Sequence, residues 1–211
     1  MNSMQLPNIG YIIDNVPYPL IDELKEIIKE KELEKHNSKL AGNIKKEFLI
    51  PKAIPVFSRY IFELVTHYEN SFNFLQSMNH CNADVPLCLD SMWVNFQEKH
   101  EFNPPHTHGG VYSFALWLKV PYLMEDELKQ GPGSESNNNI PGHFQFMYTN
   151  SLGALCTEKL PVDKSWEGKI AFFPAKLNHQ VLPFYTSDDY RISISGNVTI
   201  DTKSLGAIKN D

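Results

Sequence analysis

The chain is poor in cysteine, in basic clusters and in long apolar runs, and each shortage removes a class of function. Three cysteines occur among 211 residues, Cys81, Cys88 and Cys156, and none stands in CxxC spacing. A disulfide framework and a cysteine zinc site are therefore poor organising principles. The low thiol density suits a reducing compartment, and a cytoplasmic location is expected. The first eleven residues lack a basic stretch followed by a long apolar core, which argues against a secretory signal. No run approaches the ~18 consecutive apolar residues of a membrane-spanning helix, so no membrane association is expected. Lysine and arginine number 19 against 25 acidic residues, a formal net charge of -6. With no basic stripe along the chain, a nucleic-acid partner is not expected either.

What the chain does have is an ordinary globular composition, 42% hydrophobic and 21% charged, and a length at which one domain buries roughly 70% of its unfolded surface. Residues 11–16 read as a short strand. Leu20, Leu24, Ile27 and Ile28 recur at helical spacing, which predicts a helix over 19–35. Opposite-sign pairs three apart, Asp22/Lys25, Glu26/Lys29 and Glu32/Lys35, mark its solvated face. Residues 36–48 are polar around Gly42-Asn43 and read as a loop. A second helix is predicted from Pro51 or Pro55 to Leu75, with Phe57, Ile61, Leu64, Tyr68, Phe72 and Leu75 as its core-facing stripe. His67 and His80 have no partner at metal-ligand spacing and read as surface or core-edge residues.

The character of the chain changes near residue 82. Segments rich in β-branched and aromatic residues follow, separated by Gly, Pro, Asn and Asp, and predict strands over 87–97, 111–120, 143–150, 154–157, 169–173, 180–185 and 190–200. Helices first and strands afterwards is the pattern of an α+β, mainly β, domain with a closed or sandwiched antiparallel sheet. The expected organisation is one domain over 1–211: a mainly helical flank (1–82), a β core (83–202) and a loose tail (203–211). Residues 124–141 carry Gly131-Pro132-Gly133 and a polar run. They read as the least structured stretch, either a surface insertion or a lid over a pocket.

Within the β-rich part, Asn103-Pro104-Pro105-His106-Thr107-His108-Gly109-Gly110 precedes an apolar run. Side chains two apart share a face of an extended segment, so His106 and His108 can converge on one metal ion. His179 follows the apolar strand over 168–174. A histidine fixed between apolar strands needs a polar partner, either a metal or a backbone carbonyl. Imidazole donors suit a first-row transition metal.

Arg191 shares a strand face with Ser193 and Ser195. A buried guanidinium calls for an anion, which its planar fork holds with two parallel hydrogen bonds, and Ser193 can add a third donor. Glu158 or Asp163 can serve from within the chain, and an organic acid is the alternative. For Arg191 to face the same way as His179 across a hairpin, the connection over 186–189 needs a bulge or a fifth residue, which sets the two roughly 13 Å apart. Asn95 shares parity with Trp93 and Gln97. Tyr112 has the parity of the histidine pair if the strand runs unbroken through Gly109-Gly110, and its phenol can then donate to a ligand carboxylate. The plain alternatives are a polar strand residue for Asn95 and a core-edge tyrosine for Tyr112.

In order and spacing, Trp93-Val94-Asn95, Pro105-His106-Thr107-His108, Val111-Tyr112, the 168–174 strand with His179, and Tyr190-Arg191 with Ser193 resemble the Fe(II)/2-oxoglutarate-dependent oxygenases, in particular a group from bacteria and their viruses. The likeness runs over about 87–198, and Leu40-Ala41-Gly42-Asn43-Ile44 is similar too. The resemblance implies a double-stranded β-helix, a jelly roll flanked by helices. It implies Fe(II) on His106, His108 and His179, and 2-oxoglutarate as cosubstrate with its far carboxylate on Arg191 and Ser193. Asn95 is a further contact on the same ground. The implied outcome is succinate, CO2 and an oxidised, usually hydroxylated, substrate.

One departure stands out. The wider family carries Asp or Glu two residues after the first histidine, where this chain has His108. Three neutral ligands leave the iron one unit more positive. The preferred ligand set is the three histidines; the alternatives are Glu98 or Glu101 in place of His108, or poor metal binding. Two other functions compete: a cupin-like metalloprotein that does not use 2-oxoglutarate, and a non-catalytic binding module with Arg191 as an anion clamp. The cupin pattern usually places a glutamate soon after the histidines, and residues 109–114 supply none. Peptidyl proline, a free amino acid and a small metabolite all fit as substrates, since fold resemblance does not choose among them. No motif specifies an oligomeric state.

Overall fold

The computed structural model describes residues 9–30, 32–77 and 85–207. In chain order the elements are β1 (Ile12–Asn15), α1 (Tyr18–Ile27), β2 (Glu34–Lys35), β3 (Glu47–Leu49), α2 (Ala53–Phe72), α3 (Phe74–Ser77), β4 (Leu87–Gln97), β5 (Asn103–His106), β6 (Tyr112–Lys119), α4 (Met124–Gln130), β7 (Phe144–Thr149), β8 (Leu155–Leu160), β9 (Lys169–Pro174), β10 (Asn178–Val181), β11 (Arg191–Ile200) and α5 (Thr202–Ala207). The strands form two antiparallel sheets: a seven-stranded sheet in the order β1-β9-β6-β11-β4-β3-β2 and a four-stranded sheet in the order β5-β10-β7-β8. From β4 to β11 successive strands pass between the sheets, except that β7 and β8 pair within the small one, which makes the core a double-stranded β-helix. Among the described residues no helix is long and apolar enough to cross a membrane.

Both faces of the large sheet are covered, which explains why its central strands read as near-continuous apolar runs. On β6, Tyr112, Phe114, Leu116 and Leu118 point outward into a core shared with α1 and α2, where Phe57, Ile61, Leu64 and Tyr68 supply the helical side. Ala115 and Trp117, on the opposite parity, point inward and pack with Phe144, Phe146 and Phe173 between the sheets. Phe57 meets Phe114 with ring centroids 5.6 Å apart.

Several boundaries differ from the sequence expectation, each for a local reason. The first helix stops at Ile27 with Ile28 as its C-cap, where the charged residues 29–32 begin, and Glu34–Lys35 pairs with β3 instead. Of the three charge pairs, Glu26–Lys29 is an ion pair, 2.6 Å and exposed. The second helix ends at Asn73, whose left-handed φ of 48° is a helix C-cap conformation that asparagine tolerates. β3 occupies part of the expected loop over 36–48. β5 was hidden by Pro104 and Pro105, which belong only on an edge strand, and β5 is an edge strand. Thr202–Ala207 is a short helix where a loose tail was expected; residues 208–211, His80 and Cys81 lie outside the described residues.

Residues 124–130, expected to be irregular, form α4, with acidic residues in its first turn and Lys129 in its last, as the helix dipole favours. Glu127 is fully buried and accepts hydrogen bonds from the backbone N–H groups of Tyr185 and Thr186. This ties the stretch to the β10–β11 connection. It does not line the central cavity, so the lid reading of 124–141 finds no support.

The hairpin expected between His179 and Arg191 does not exist. β10 lies in the small sheet and β11 in the large one, so residues 182–190 cross from one sheet to the other. No bulge is needed to bring His179 and Arg191 to the same cavity, because facing sheets already point their inner side chains at each other.

Candidate metal centre

Hydrogen-bonded neighbours across the large sheet line up in rows on its inner face. Ser91, Asn197, Ser113 and Phe173 form one row; Trp93, Ser195 and Ala115 the next; then Glu47, Asn95, Ser193 and Trp117; and last Gln97 with Arg191. Ser195, Ala115 and Ser193 are small, so a cavity of about 240 Å³ remains between this face and the small sheet.

The three histidines of interest converge at one end of that cavity. His106 on β5 and His179 on β10 are cross-strand partners. His108 lies just beyond β5, held by its backbone N–H donating to the Ala175 carbonyl at 2.8 Å. One ring nitrogen from each lies within 4.8 Å of the others. Every Nδ1 is already engaged: His106 with the Pro104 carbonyl (2.7 Å), His179 with the Leu177 carbonyl (2.9 Å) and His108 with Asn197 Oδ1 (3.1 Å). A carbonyl only accepts, so these contacts assign the proton to Nδ1. The Nε2 atoms then carry lone pairs, and those of His108 and His179 face each other at 3.0 Å. Two lone pairs at that distance repel unless a cation lies between them. Ligands at right angles around a metal with bonds of about 2.0–2.1 Å have their nitrogens ~3.0 Å apart. The donor set fits a divalent transition metal.

Burial keeps the imidazoles free of protons. His108 is pushed down to about 4, by burial first and then by His106. His179 lies well below the usual histidine range and His106 below it, burial being the main cause in both. Unprotonated imidazole is the form that binds metal. The rings are also fixed by packing: Trp93 stacks on His108 at 5.4 Å, and Phe144 on His179 at 5.4 Å.

At the other end of the cavity Arg191 is 2% exposed. Its N–H groups donate to Gln97 Oε1 (3.1 and 2.7 Å), the Tyr122 hydroxyl (2.5 Å) and the carbonyls of Gly142 (2.8 Å) and Leu182 (2.9 Å). All these acceptors are neutral, so a buried positive charge stands without a carboxylate. The two internal mates considered for it are engaged elsewhere: Glu158 accepts from Tyr11, and Asp163 caps the turn at Ser165. Asn95 Nδ2 lies 3.3 Å from Ser193 Oγ, and Asn95 Oδ1 is buried with no partner.

Tyr112 is not part of this site. Gly110, at φ +87°, breaks the extended run, and the strands before and after it belong to different sheets. The parity expected from His106 and His108 is lost. Tyr112 instead points to the helical layer, where its hydroxyl donates to Glu69 and its ring packs on Tyr68 and Phe172. Glu98 and Glu101 lie outside the histidine cluster: Glu98 pairs with Lys45, and Glu101 accepts the backbone N–H groups of Lys45 and Glu98. Asn197 was missed, although it continues the parity of Arg191, Ser193 and Ser195. Glu47 was missed because it comes from a segment read as loop, and Asn103 was missed although it opens the extended stretch that carries His106. Glu47 is 1% exposed and pushed up to about 7 by burial and by nearby Glu101.

A double-stranded β-helix enclosing converging imidazoles and a buried, unpaired arginine has the architecture of an oxygenase that uses iron and 2-oxoglutarate. A family model described as "Putative 2OG-Fe(II) oxygenase" matches residues 91–197, half of the chain, and the chain belongs to this family. It is thus a 2-oxoglutarate-dependent oxygenase with Fe(II) as its metal. No curated protein sequence matches it significantly. Among solved structures it is similar in fold to a Pseudomonas putida prolyl-4-hydroxylase (14% identity, 91% of this chain and 93% of that one, TM-score 0.55). It is also similar to a Trichoplax adhaerens prolyl hydroxylase in complex with a hypoxia inducible factor peptide fragment (11%, 96% and 88%, 0.51). A third is Streptomyces hygroscopicus HygX with nickel, 2-oxoglutarate and hygromycin B bound (13%, 92% and 84%, 0.51).

Removing the acceptor that orients His108 tests the metal site. Asn197→Ala is expected to weaken metal binding about 10–100-fold, read by chelator competition; unchanged affinity contradicts the arrangement. The raised Glu47 carboxyl gives a pH prediction. Below about pH 4 both folded and unfolded chains carry it neutral. As pH rises toward 7 the unfolded chain ionises first, so wild-type stability falls across that window. Glu47→Gln should therefore gain more in Tm at about pH 8 than at about pH 4, measured by thermal denaturation.

Proposed function

We propose that His106, His108 and His179 hold the Fe(II), and that 2-oxoglutarate lies between this centre and Arg191 to support hydroxylation of a small group of the substrate. The observation that carries this reading is the uncompensated buried charge of Arg191 on the wall of the cavity that holds the three imidazoles. When bound, Fe(II) supplies the redox chemistry by which O2 gives one oxygen atom to succinate and the other to a substrate C–H bond, with release of CO2.

The chain's own residues bind and orient. Arg191 provides the positive field for the far carboxylate of 2-oxoglutarate in a site shielded from water, where such a field acts strongly. Its N–H groups already have acceptors, so the carboxylate competes with Gln97 for them. Ser193 Oγ accepts from Asn95 and keeps its own hydrogen to donate. Asn95 adds a polar contact on the same row. Trp93 and Asn197 hold His108 in place. The cavity is smaller than the ~300–1,000 Å³ typical of sites for drug-sized ligands, so with 2-oxoglutarate inside, the substrate inserts one small group. A small metabolite or a peptide side chain both satisfy this.

Anaerobic addition of Fe(II) with 2-oxoglutarate should raise Tm beyond the effect of Fe(II) alone, and aerobic turnover should release succinate. Ser193→Ala should weaken 2-oxoglutarate binding about 5–10-fold, the loss of one hydrogen bond to a charged group, with metal binding intact. Metal binding that is indifferent to 2-oxoglutarate, with no succinate formed, overturns the reading.

A further inference from the structure

One lobe of the cavity is lined by His36, Lys39, Leu40, Ala41 and Ile44 together with Glu47 and Asn103, and two oxygen atoms of this lining have no partner. Glu47 Oε1 and Asn103 Oδ1 are both buried and make no hydrogen bond. Unmet acceptors of this kind are rare and costly to a fold. The other Glu47 oxygen accepts from Asn37 at 3.3 Å, so the carboxylate is held in place. Gly42 sits between the two. A Cβ on Gly42 would lie 2.5 Å from Asn103 Oδ1 and 2.8 Å from Glu47 Oε1. The missing side chain therefore lets the two oxygens, one of them on a carboxylate, approach one point beside Gly42 that a Cβ would crowd.

We propose that this lobe is the substrate subsite and that it takes a nitrogen bearing at least two N–H bonds, an ammonium or a guanidinium, between Glu47 Oε1 and Asn103 Oδ1. The inference rests on the oxygenase reading of the cavity and adds the chemical class of the substrate. Glu47 and Asn95 are cross-strand neighbours, and Asn95 pairs in turn with Ser193. The proposed nitrogen site thus stands in the same row as the proposed cosubstrate contacts, one strand further toward the sheet edge. A cationic group there supplies the donors that both oxygens lack and the charge that the Glu47 carboxylate lacks. The only cation lining the lobe among the described residues is Lys39, which is exposed and solvated; half-buried His36 also lines it.

Calorimetric titration of the metal- and 2-oxoglutarate-loaded protein under anaerobic conditions tests this. The probes are agmatine and N-acetylated, C-amidated lysine and arginine tripeptides, each against a neutral isostere (norleucine for lysine, citrulline for arginine, N-(4-hydroxybutyl)urea for agmatine). At least one cationic probe should bind about tenfold more tightly than its isostere. Whether agmatine or a tripeptide shows the larger difference separates a free amine from a peptide side chain. Glu47→Gln and Gly42→Ala should each abolish the difference while retaining the stability shift caused by metal and 2-oxoglutarate. Equal binding of cation and isostere, no binding of any cationic probe at millimolar concentration, or a preference that survives both substitutions overturns the proposal. A lost metal and 2-oxoglutarate shift in the wild type overturns the oxygenase site instead, so the two failures are distinguishable.

Discussion

The repulsion between two imidazole lone pairs sets the terms for the rest of the molecule. His108 and His179 point unprotonated Nε2 atoms at each other across 3.0 Å, and burial removes the water and the protons that would relieve them. The fold enforces this through three different outer contacts, two backbone carbonyls and the Asn197 amide, and through stacking on Trp93 and Phe144. Such an arrangement is stable with a metal ion among the rings and frustrated without one. On the proposed ligand set, metal binding and stability are coupled, because an ion bound only by the folded chain adds to its stability.

The same sheet that holds the histidines holds two further buried groups out of electrostatic balance. Arg191 is a cation with neutral acceptors, and Glu47 is an acid with an unpaired oxygen, set one row and two strands apart on the inner face. A protein selected for stability alone would replace both with apolar residues of similar size. Their presence is the expected stability cost of a site that must recognise charged groups. The pH behaviour of Glu47 follows from this: its burial favours the neutral form, and an incoming cation favours the ionised one.

Much of this was legible in the chain. The i, i+2 spacing in His106-Thr107-His108 and the alternation of Arg191, Ser193 and Ser195 carry face information directly, because a strand has period two. Long strands such as β4 were bounded well, since period-two patterning and flanking turn residues agree there. The readings failed where partners lie across space. Tyr112 was assigned by carrying parity through Gly110, but a glycine with positive φ resets parity. The geometry linking His179 to Arg191 was argued as a hairpin because the two strands are consecutive, whereas the jelly roll sends these two to opposite sheets. β3 and the lobe around Gly42 were missed because a three-residue strand is too short to show a period and it follows a polar run.

The central claim is that three histidines and no carboxylate hold the metal. A crystal structure of the protein loaded anaerobically with Fe(II) and 2-oxoglutarate, with the metal located by its anomalous scattering, addresses it most directly. The account predicts one iron about 2.0–2.2 Å from Nε2 of His106, His108 and His179, with no protein oxygen bound. Iron held by Glu98 or Glu101, or a metal that leaves His108 unbound, would contradict it.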